Sequence, residues 1–368
     1  MSIEELTALS RFYGTGTDYV IAGGGNISFK DDTTLWVKSS GVSLGEITPE
    51  GFAALDRAKL AELWNLAGAG SPAEREAAVL KGMLEARKPG EEAKRPSVET
   101  LLHDLLPFAY VIHTHPALVN GLTCSQDGEG AARELFGTGV LWVPISDPGF
   151  VLAHTVREKL EEKKRAGGKV PEIIFLQNHG IFVAAQDGDR IRSWYNTIMD
   201  TLSKKIKRVP DFGNPLPAAA VPGADRGLEL LQHLSGGRVL FSRNNETALL
   251  VKDPPAFAPV ASAYTPDHIV YAGSDPLFIK KDDDIEGAWK AHVEKTRRQP
   301  KIAALEGTGV FGIGATEKAA ALALELFADS IKIAAYTESF GGPRFMTDEK
   351  IAFINNWEAE QYRAKLAK

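Results

Sequence analysis

The sequence predicts an α/β protein of two domains, the second a degenerate repeat of the first. Three features carry that prediction. Short apolar runs that read as buried strands alternate with amphipathic stretches of helical period. The chain has 368 residues, longer than the roughly 250–300 residues at which single cores stop growing. A segment beginning at Pro171 recurs at Pro300, a shift of 129 positions (300 − 171), the mark of a duplicated core.

Bulk properties narrow the class. A formal charge of −6 lacks the basic excess of a nucleic-acid binder. The single cysteine, Cys124, cannot form an intrachain disulfide or a cysteine-based zinc site, and reads as a small buried apolar residue. The acidic start Met1-Ser2-Ile3-Glu4-Glu5 lacks a signal-peptide pattern, and no apolar run is long enough to span a bilayer. These features predict a soluble cytoplasmic protein without membrane or nucleic-acid partners.

In chain order, Ser2 to Tyr13 reads as a helix opened by a capping box of Ser2 and Glu5. The glycine-rich turn Ala22 to Gly25 runs into a strand through Phe29. Asp31-Asp32 turns the hairpin, and Thr34 to Lys38 returns as its partner. Another turn, Ser39-Ser40-Gly41, follows. Both turns offer backbone N–H groups and hydroxyls to an anion, although ordinary turn chemistry explains them as well. Pro49 to Leu66 and Pro72 to Ala86 read as amphipathic helices. Pro96-Ser97-Val98-Glu99 opens a helix to Leu106 with Ser97 as N-cap. Glu99 then sits in a first turn that suits a carboxylate, and His103 reads as a helix-surface or core residue.

Phe108 to Ile112 is an apolar run ending in His113-Thr114-His115. On a strand, residues i and i+2 share a face, so His113 and His115 present two imidazoles side by side. Ile173 to Leu176 leads in the same way into Gln177-Asn178-His179-Gly180, supplying a third. Three imidazoles around an open position suit a catalytic divalent metal, most often zinc. Between these runs lie a helix, a strand at Gly139 to Pro144 and a charged helix end at Lys159 to Arg165. Ile181 to Ala184 is a further strand, and a long helix over Asp189 to Val209 closes this half. The Pro-, Gly- and Ala-rich 210–223 reads as a linker between domains 1–209 and 224–368.

The repeat qualifies the metal site. At shifts of 128 or 129, Glu99 falls on Gly227, His113 on Phe241, His115 on Arg243 and His179 on Thr308. The apolar frame persists while every candidate ligand is gone, so the chemistry is expected in the first half. Gly307-Thr308-Gly309-Val310-Phe311-Gly312 also fits the dinucleotide pattern G-x-G-x-x-G, with Glu338 placed near the end of a following strand. That strand and helix are already accounted for by the repeat, and too little chain follows for a Rossmann sheet.

Gly25-Asn26-Ile27-Ser28, Lys38-Ser39-Ser40-Gly41, Pro96-Ser97-Val98-Glu99, His113-Thr114-His115-Pro116 and Asn178-His179-Gly180 resemble, in order and spacing, the class II aldolase/adducin family. The whole chain resembles the aldolase portion of rhamnulose-1-phosphate aldolase/short-chain dehydrogenase proteins, without their dehydrogenase domain. The resemblance implies a three-layer α/β/α sandwich with a mainly antiparallel sheet, and a homo-oligomer: a tetramer, or a dimer of duplicated chains acting as a pseudo-tetramer. It implies one zinc, or another divalent ion, on His113, His115 and His179. Glu99 would be the fourth ligand and the catalytic acid/base. Gly25, Asn26, Ser40, Gly41 and Ser97 would hold the phosphate of a small sugar-phosphate substrate. Val98 stands where the family commonly has a second hydroxyl. The activity implied is cleavage of a ketose 1-phosphate of rhamnulose or fuculose type to dihydroxyacetone phosphate and an aldehyde, through a zinc-stabilised enediolate. The same site would also serve a ribulose-5-phosphate 4-epimerase or a ketose-phosphate dehydratase. An adducin-like binding protein without catalysis is the remaining reading.

Overall fold

Residues 3–68 and 71–358 are described by the structure, a computed structural model. They fall into two compact units, Met1–Val119 with Gly128–Lys204, and Asn120–Asp127 with Lys205–Lys368.

The first unit contains α1 (Ile3–Gly14), β1 (Asn26–Lys30), β2 (Thr34–Lys38), β3 (Phe52–Asp56), α2 (Arg57–Glu62), α3 (Pro72–Glu85) and α4 (Thr100–Leu105). These lead to β4 (Tyr110–Thr114), α5 (Ala117–Thr123, whose residues from Asn120 on belong to the second unit), α6 (Gly128–Phe136), β5 (Leu141–Val143), α7 (Phe150–Arg165), β6 (Ile173–Leu176), β7 (Gly180–Ala185) and α8 (Gly188–Ser203). The seven strands form one sheet in the order β3-β2-β1-β4-β7-β6-β5. Every pairing is antiparallel except β5 with β6. On one face, Leu101 and Leu102 of α4 and Val156 and Leu160 of α7 join Val111, Phe182 and Ala184 of the sheet in a buried core. On the other face lie α1 and α8, with Leu6, Leu9, Tyr195 and Ile198 buried. This is the three-layer α/β/α sandwich with a mainly antiparallel sheet. Apolar residues on both faces explain why β4, β6 and β7 read as continuous apolar runs rather than alternating ones.

Several elements differ from the sequence reading. The helix expected over Pro49 to Leu66 is a single turn at Pro49–Gly51, then β3 and α2. Phe52-Ala53-Ala54-Leu55 is too short for periodicity to separate strand from helix. The open edge of β2 decides it, pairing Lys38 with Phe52 through Thr34 with Asp56. Helix α4 starts at Thr100, with Glu99 rather than Ser97 at the N-cap position and no side-chain cap. Helix α8 ends at Ser203 instead of Val209. The expected N-cap Ser2 lies outside the described residues.

The second unit contains α9 (Ala224–Ser235), β8 (Arg238–Ser242), α10 (Asn245–Leu250), α11 (Pro254–Phe257), β9 (Leu277–Ile279), α12 (Ile285–Thr296), β10 (Ile302–Leu305), β11 (Gly309–Gly314), α13 (Glu317–Thr337) and α14 (Asp348–Asn356). Its sheet runs β8-β11-β10-β9, antiparallel except β9 with β10. That is the order and direction of β4-β7-β6-β5. Phe241 lies opposite Phe311 in the register, as His113 lies opposite Phe182. The Gly307 to Gly312 pattern spans a β-hairpin and enters β11 rather than a helix, and Glu338 follows helix α13 rather than a strand. Residues 210–223 are tied into this unit, the Asp211 N–H donating to Glu246 and the Leu216 N–H to the Arg243 carbonyl.

Candidate metal centre

The register of the first sheet assembles the site. Asn26 of β1 is opposite His113 of β4, and His113 is opposite Phe182 of β7. Opposed residues share a face, so one row across the sheet reads Asn26, His113, Phe182. The His113 ring stacks on Phe182 with centroids 4.1 Å apart, and its Nδ1 donates to the Ile181 carbonyl at 3.0 Å. A neutral ring fixed in that tautomer keeps the lone pair on Nε2.

That Nε2 lies 2.9 Å from His115 Nε2 and 3.3 Å from His179 Nε2. Among the described residues, His113, His115 and His179 form a group whose ligand atoms all lie within 4.8 Å of one another. Glu99 closes the fourth side, with Oε2 3.5 Å from His113 Nε2 and Oε1 3.7 Å from His179 Nε2. Glu99 is only 5% exposed, and its Oε1 is buried without a hydrogen-bond partner. An acceptor left in that state costs about 1–3 kcal/mol unless a cation or proton meets it. Ligands about 2.0–2.1 Å from one tetrahedral centre stand about 3.3–3.4 Å apart. Three imidazole nitrogens and an orphaned carboxylate oxygen at these spacings fit a small divalent cation.

Two glycines are fixed by the site. A Cβ on Gly180 would sit 2.4 Å from the Thr114 carbonyl oxygen and 2.7 Å from His115 Cδ2. Gly25 has φ +67, and a Cβ there would meet the His113 carbonyl oxygen at 2.7 Å.

The residues expected to hold a phosphate cluster beside the carboxylate. Asn26 Nδ2 donates to Ser97 Oγ at 3.1 Å and to Glu99 Oε2 at 2.6 Å. Ser39 bridges Pro96, and the Ser40 hydroxyl donates to the Pro96 carbonyl at 3.3 Å, bringing Ser40-Gly41 beside Ser97. The Asn26 carboxamide therefore holds Glu99, a contact that the sequence did not lead us to expect.

Sequence reasoning missed what lies behind this row. Asn26, Ser28 and Lys30 alternate along β1 as a solvent-facing side would, yet all three are buried. His103 of α4 covers them. Ser28 Oγ is 2.7 Å from His103 Nδ1, Asn26 Oδ1 contacts His103 Nε2, and Lys30 Nζ donates to the His103 carbonyl at 2.7 Å. The spacing of Glu99 and His103, one helical turn, was the available signal. Burial keeps the His103 imidazole well below its usual range, with His113 and Lys30 pressing the same way.

Burial likewise pushes the Lys30 ammonium from the usual lysine range down to about 7, against the pull of Asp104. Its folded value lies below its unfolded value, so between about 7 and 10.5 the unfolded chain binds the additional proton. Stability from this group therefore rises with pH through that window, by at most about 1.4 kcal/mol per pH unit. Urea unfolding of Lys30→Met should lack this slope, and a variant retaining the wild-type slope would place its source elsewhere.

The second unit has no such centre at the matching positions. Arg243 donates to the carbonyls of Gly307 and Thr308 at 3.0 and 2.7 Å. Phe241 packs on Phe311 with centroids 5.1 Å apart. Gly227, which the sequence repeat aligns with Glu99, lies inside α9, and an added Cβ there would lie 2.7 Å from the Phe311 ring.

Comparison with known proteins gives one family and several relatives. The profile of the Class II Aldolase and Adducin N-terminal domain matches residues 4–201, more than half of the chain. An uncharacterized oxidoreductase of Bacillus subtilis (strain 168), YuxG, is 24% identical over 422 aligned residues, covering 99% of this chain and 58% of that protein. The chain thus spans little more than half the length of that curated relative. Among solved structures, the N-terminal class II aldolase domain of a conserved Thermoplasma acidophilum protein is 26% identical at TM-score 0.47, covering 55% of this chain and 93% of its own. L-fuculose-1-phosphate aldolase of Thermus thermophilus is 17% identical at TM-score 0.35, covering 54% and 92%. Among the described residues, no helix is long and apolar enough to cross a membrane.

Proposed function

The chain belongs to the class II aldolase and adducin family, and on that premise we propose that it is a zinc-dependent aldolase cleaving a ketose 1-phosphate to dihydroxyacetone phosphate and an aldehyde. The observation that carries this reading is the convergence of His113, His115, His179 and the buried carboxylate of Glu99 beside the polar side chains of Asn26 and Ser97. An adducin-like protein that only binds has no use for three imidazoles kept in one tight group.

Cleavage of the C3–C4 bond leaves its electron pair on C3. His113, His115, His179 and Glu99 would hold a divalent ion, which would supply the Lewis acidity that makes this pair tolerable. Glu99 would carry a proton to C3 while the C4 hydroxyl gives up its own as C4 becomes the aldehyde carbonyl, so dihydroxyacetone phosphate and aldehyde form with no net change in protons. Gly25, Asn26, Ser40, Gly41 and Ser97 hold the phosphate, so binding of a remote group places the reacting carbons. The second unit is a non-catalytic copy. Its Arg243 and Phe241 fill with structural contacts the places that His115 and His113 hold in the first.

Incubation with L-rhamnulose 1-phosphate and L-fuculose 1-phosphate, with enzymatic detection of triose phosphate, tests the reading. Triose phosphate should form from at least one of them, disappear on chelation and return with zinc. Interconversion of pentulose 5-phosphates without triose phosphate would transfer the site to an epimerase. A metal-replete protein that cleaves no ketose phosphate would overturn the aldolase.

A further inference from the structure

We propose that His103 is a positioning residue that dictates the orientation of the Asn26 carboxamide and, through it, the resting position of Glu99. The inference rests on the reading of Glu99 as acid/base and assigns a role to a histidine outside the metal set.

A carboxylate only accepts hydrogen bonds. The Asn26 atom 2.6 Å from Glu99 Oε2 must therefore be the amide nitrogen, which also reaches Ser97 Oγ. The amide oxygen is then turned to His103 Nε2, and that nitrogen must carry a proton. In a neutral ring Nδ1 is left as an acceptor, and the Ser28 hydroxyl supplies its proton at 2.7 Å. One tautomer satisfies the whole chain from Ser28 through His103 and Asn26 to Glu99.

The ring has little freedom to leave this arrangement. The His103 carbonyl accepts from Lys30, its N–H donates to the Glu99 carbonyl at 3.1 Å, and its edge meets Phe182 at 5.4 Å between centroids. His103 and Ser28 are 0% exposed, and Asn26 is 5% exposed. Water cannot replace a missing partner there. Without His103 the Asn26 oxygen loses its fixed donor, the carboxamide gains freedom to swing, and the Nδ2 contact that holds Glu99 Oε2 loosens.

The metal-replete protein provides the test, with kcat expressed per bound metal. His103→Leu should lower kcat about 10–100-fold, the range for loss of an outer-shell partner, with a smaller change in KM. His103→Gln, which keeps an N–H where Nε2 stood, should recover most of that loss. A purely structural His103 would depress the melting temperature in both variants and leave kcat per bound metal equal, which overturns the proposal. Nitrogen NMR of histidine-labelled wild-type protein, which needs neither substrate nor a variant that folds, should show His103 protonated at Nε2 and not at Nδ1. The opposite tautomer overturns the proposal even if the variants behave as expected. An absence of aldol cleavage by the wild type would count against the reaction alone, since the tautomer is read independently of turnover.

Discussion

His113→Ala is expected to abolish both metal binding and turnover. The ring it removes is fully buried, supplies the nitrogen nearest to the other two imidazoles, and stacks on Phe182. Loss of an outer-shell partner already costs about 10–100-fold in metal affinity or activity, so loss of a ligand should exceed about 100-fold. The same substitution also opens a cavity against Phe182, and lost activity could then be blamed on lost folding. His113→Phe removes that ambiguity. The second unit places Phe241 opposite Phe311 in the register that His113 and Phe182 occupy, so this backbone accepts phenylalanine there. The His113→Phe protein should fold, melt cooperatively and contain no stoichiometric metal. Zinc retained at wild-type stoichiometry by that variant would remove His113 from the ligand set.

Glu99→Gln should separate binding from chemistry. The amide is nearly isosteric, and its oxygen can still accept from Asn26 Nδ2, the bond now made at 2.6 Å. The three imidazoles remain, so metal content should persist. The amide cannot shuttle a proton, and loss of a positioned acid/base typically costs about 10²–10⁴-fold in rate. Measured per bound metal, kcat should fall by that amount while the bound ion stays at wild-type stoichiometry. Turnover near the wild-type rate would end the proposed role of Glu99.

Much of the candidate site was legible because strand periodicity is local. Two histidines at i and i+2 after an apolar run were expected to share a face, and although β4 ends at Thr114 the structure places their Nε2 atoms 2.9 Å apart. The helix-start reading of Glu99 was an adequate account that proved incomplete. Glu99 does stand at the start of α4, but makes no side-chain cap there and turns to the histidines instead. The error at Phe52–Asp56 has the same root. A short apolar run takes its conformation from what lies beside it, and residues 39–51 separate it in the chain from its partner β2.

What the sequence by itself determined is the apolar frame, the pairing of His113 with His115, and the replacement of the candidate ligands in the second half by Phe241, Arg243 and Thr308. These follow from period and spacing within short segments. Only the tertiary structure decided that Asn26, Ser28 and Lys30 face inward, that His103 satisfies them, and that the Asn26 amide ties down Glu99. The physical reason is that alternation along β1 says which residues share a face but not what covers it. Helix α4, far along the chain from β1, buries that face, and a buried polar row is tolerated only where partners of matching chemistry meet every donor and acceptor.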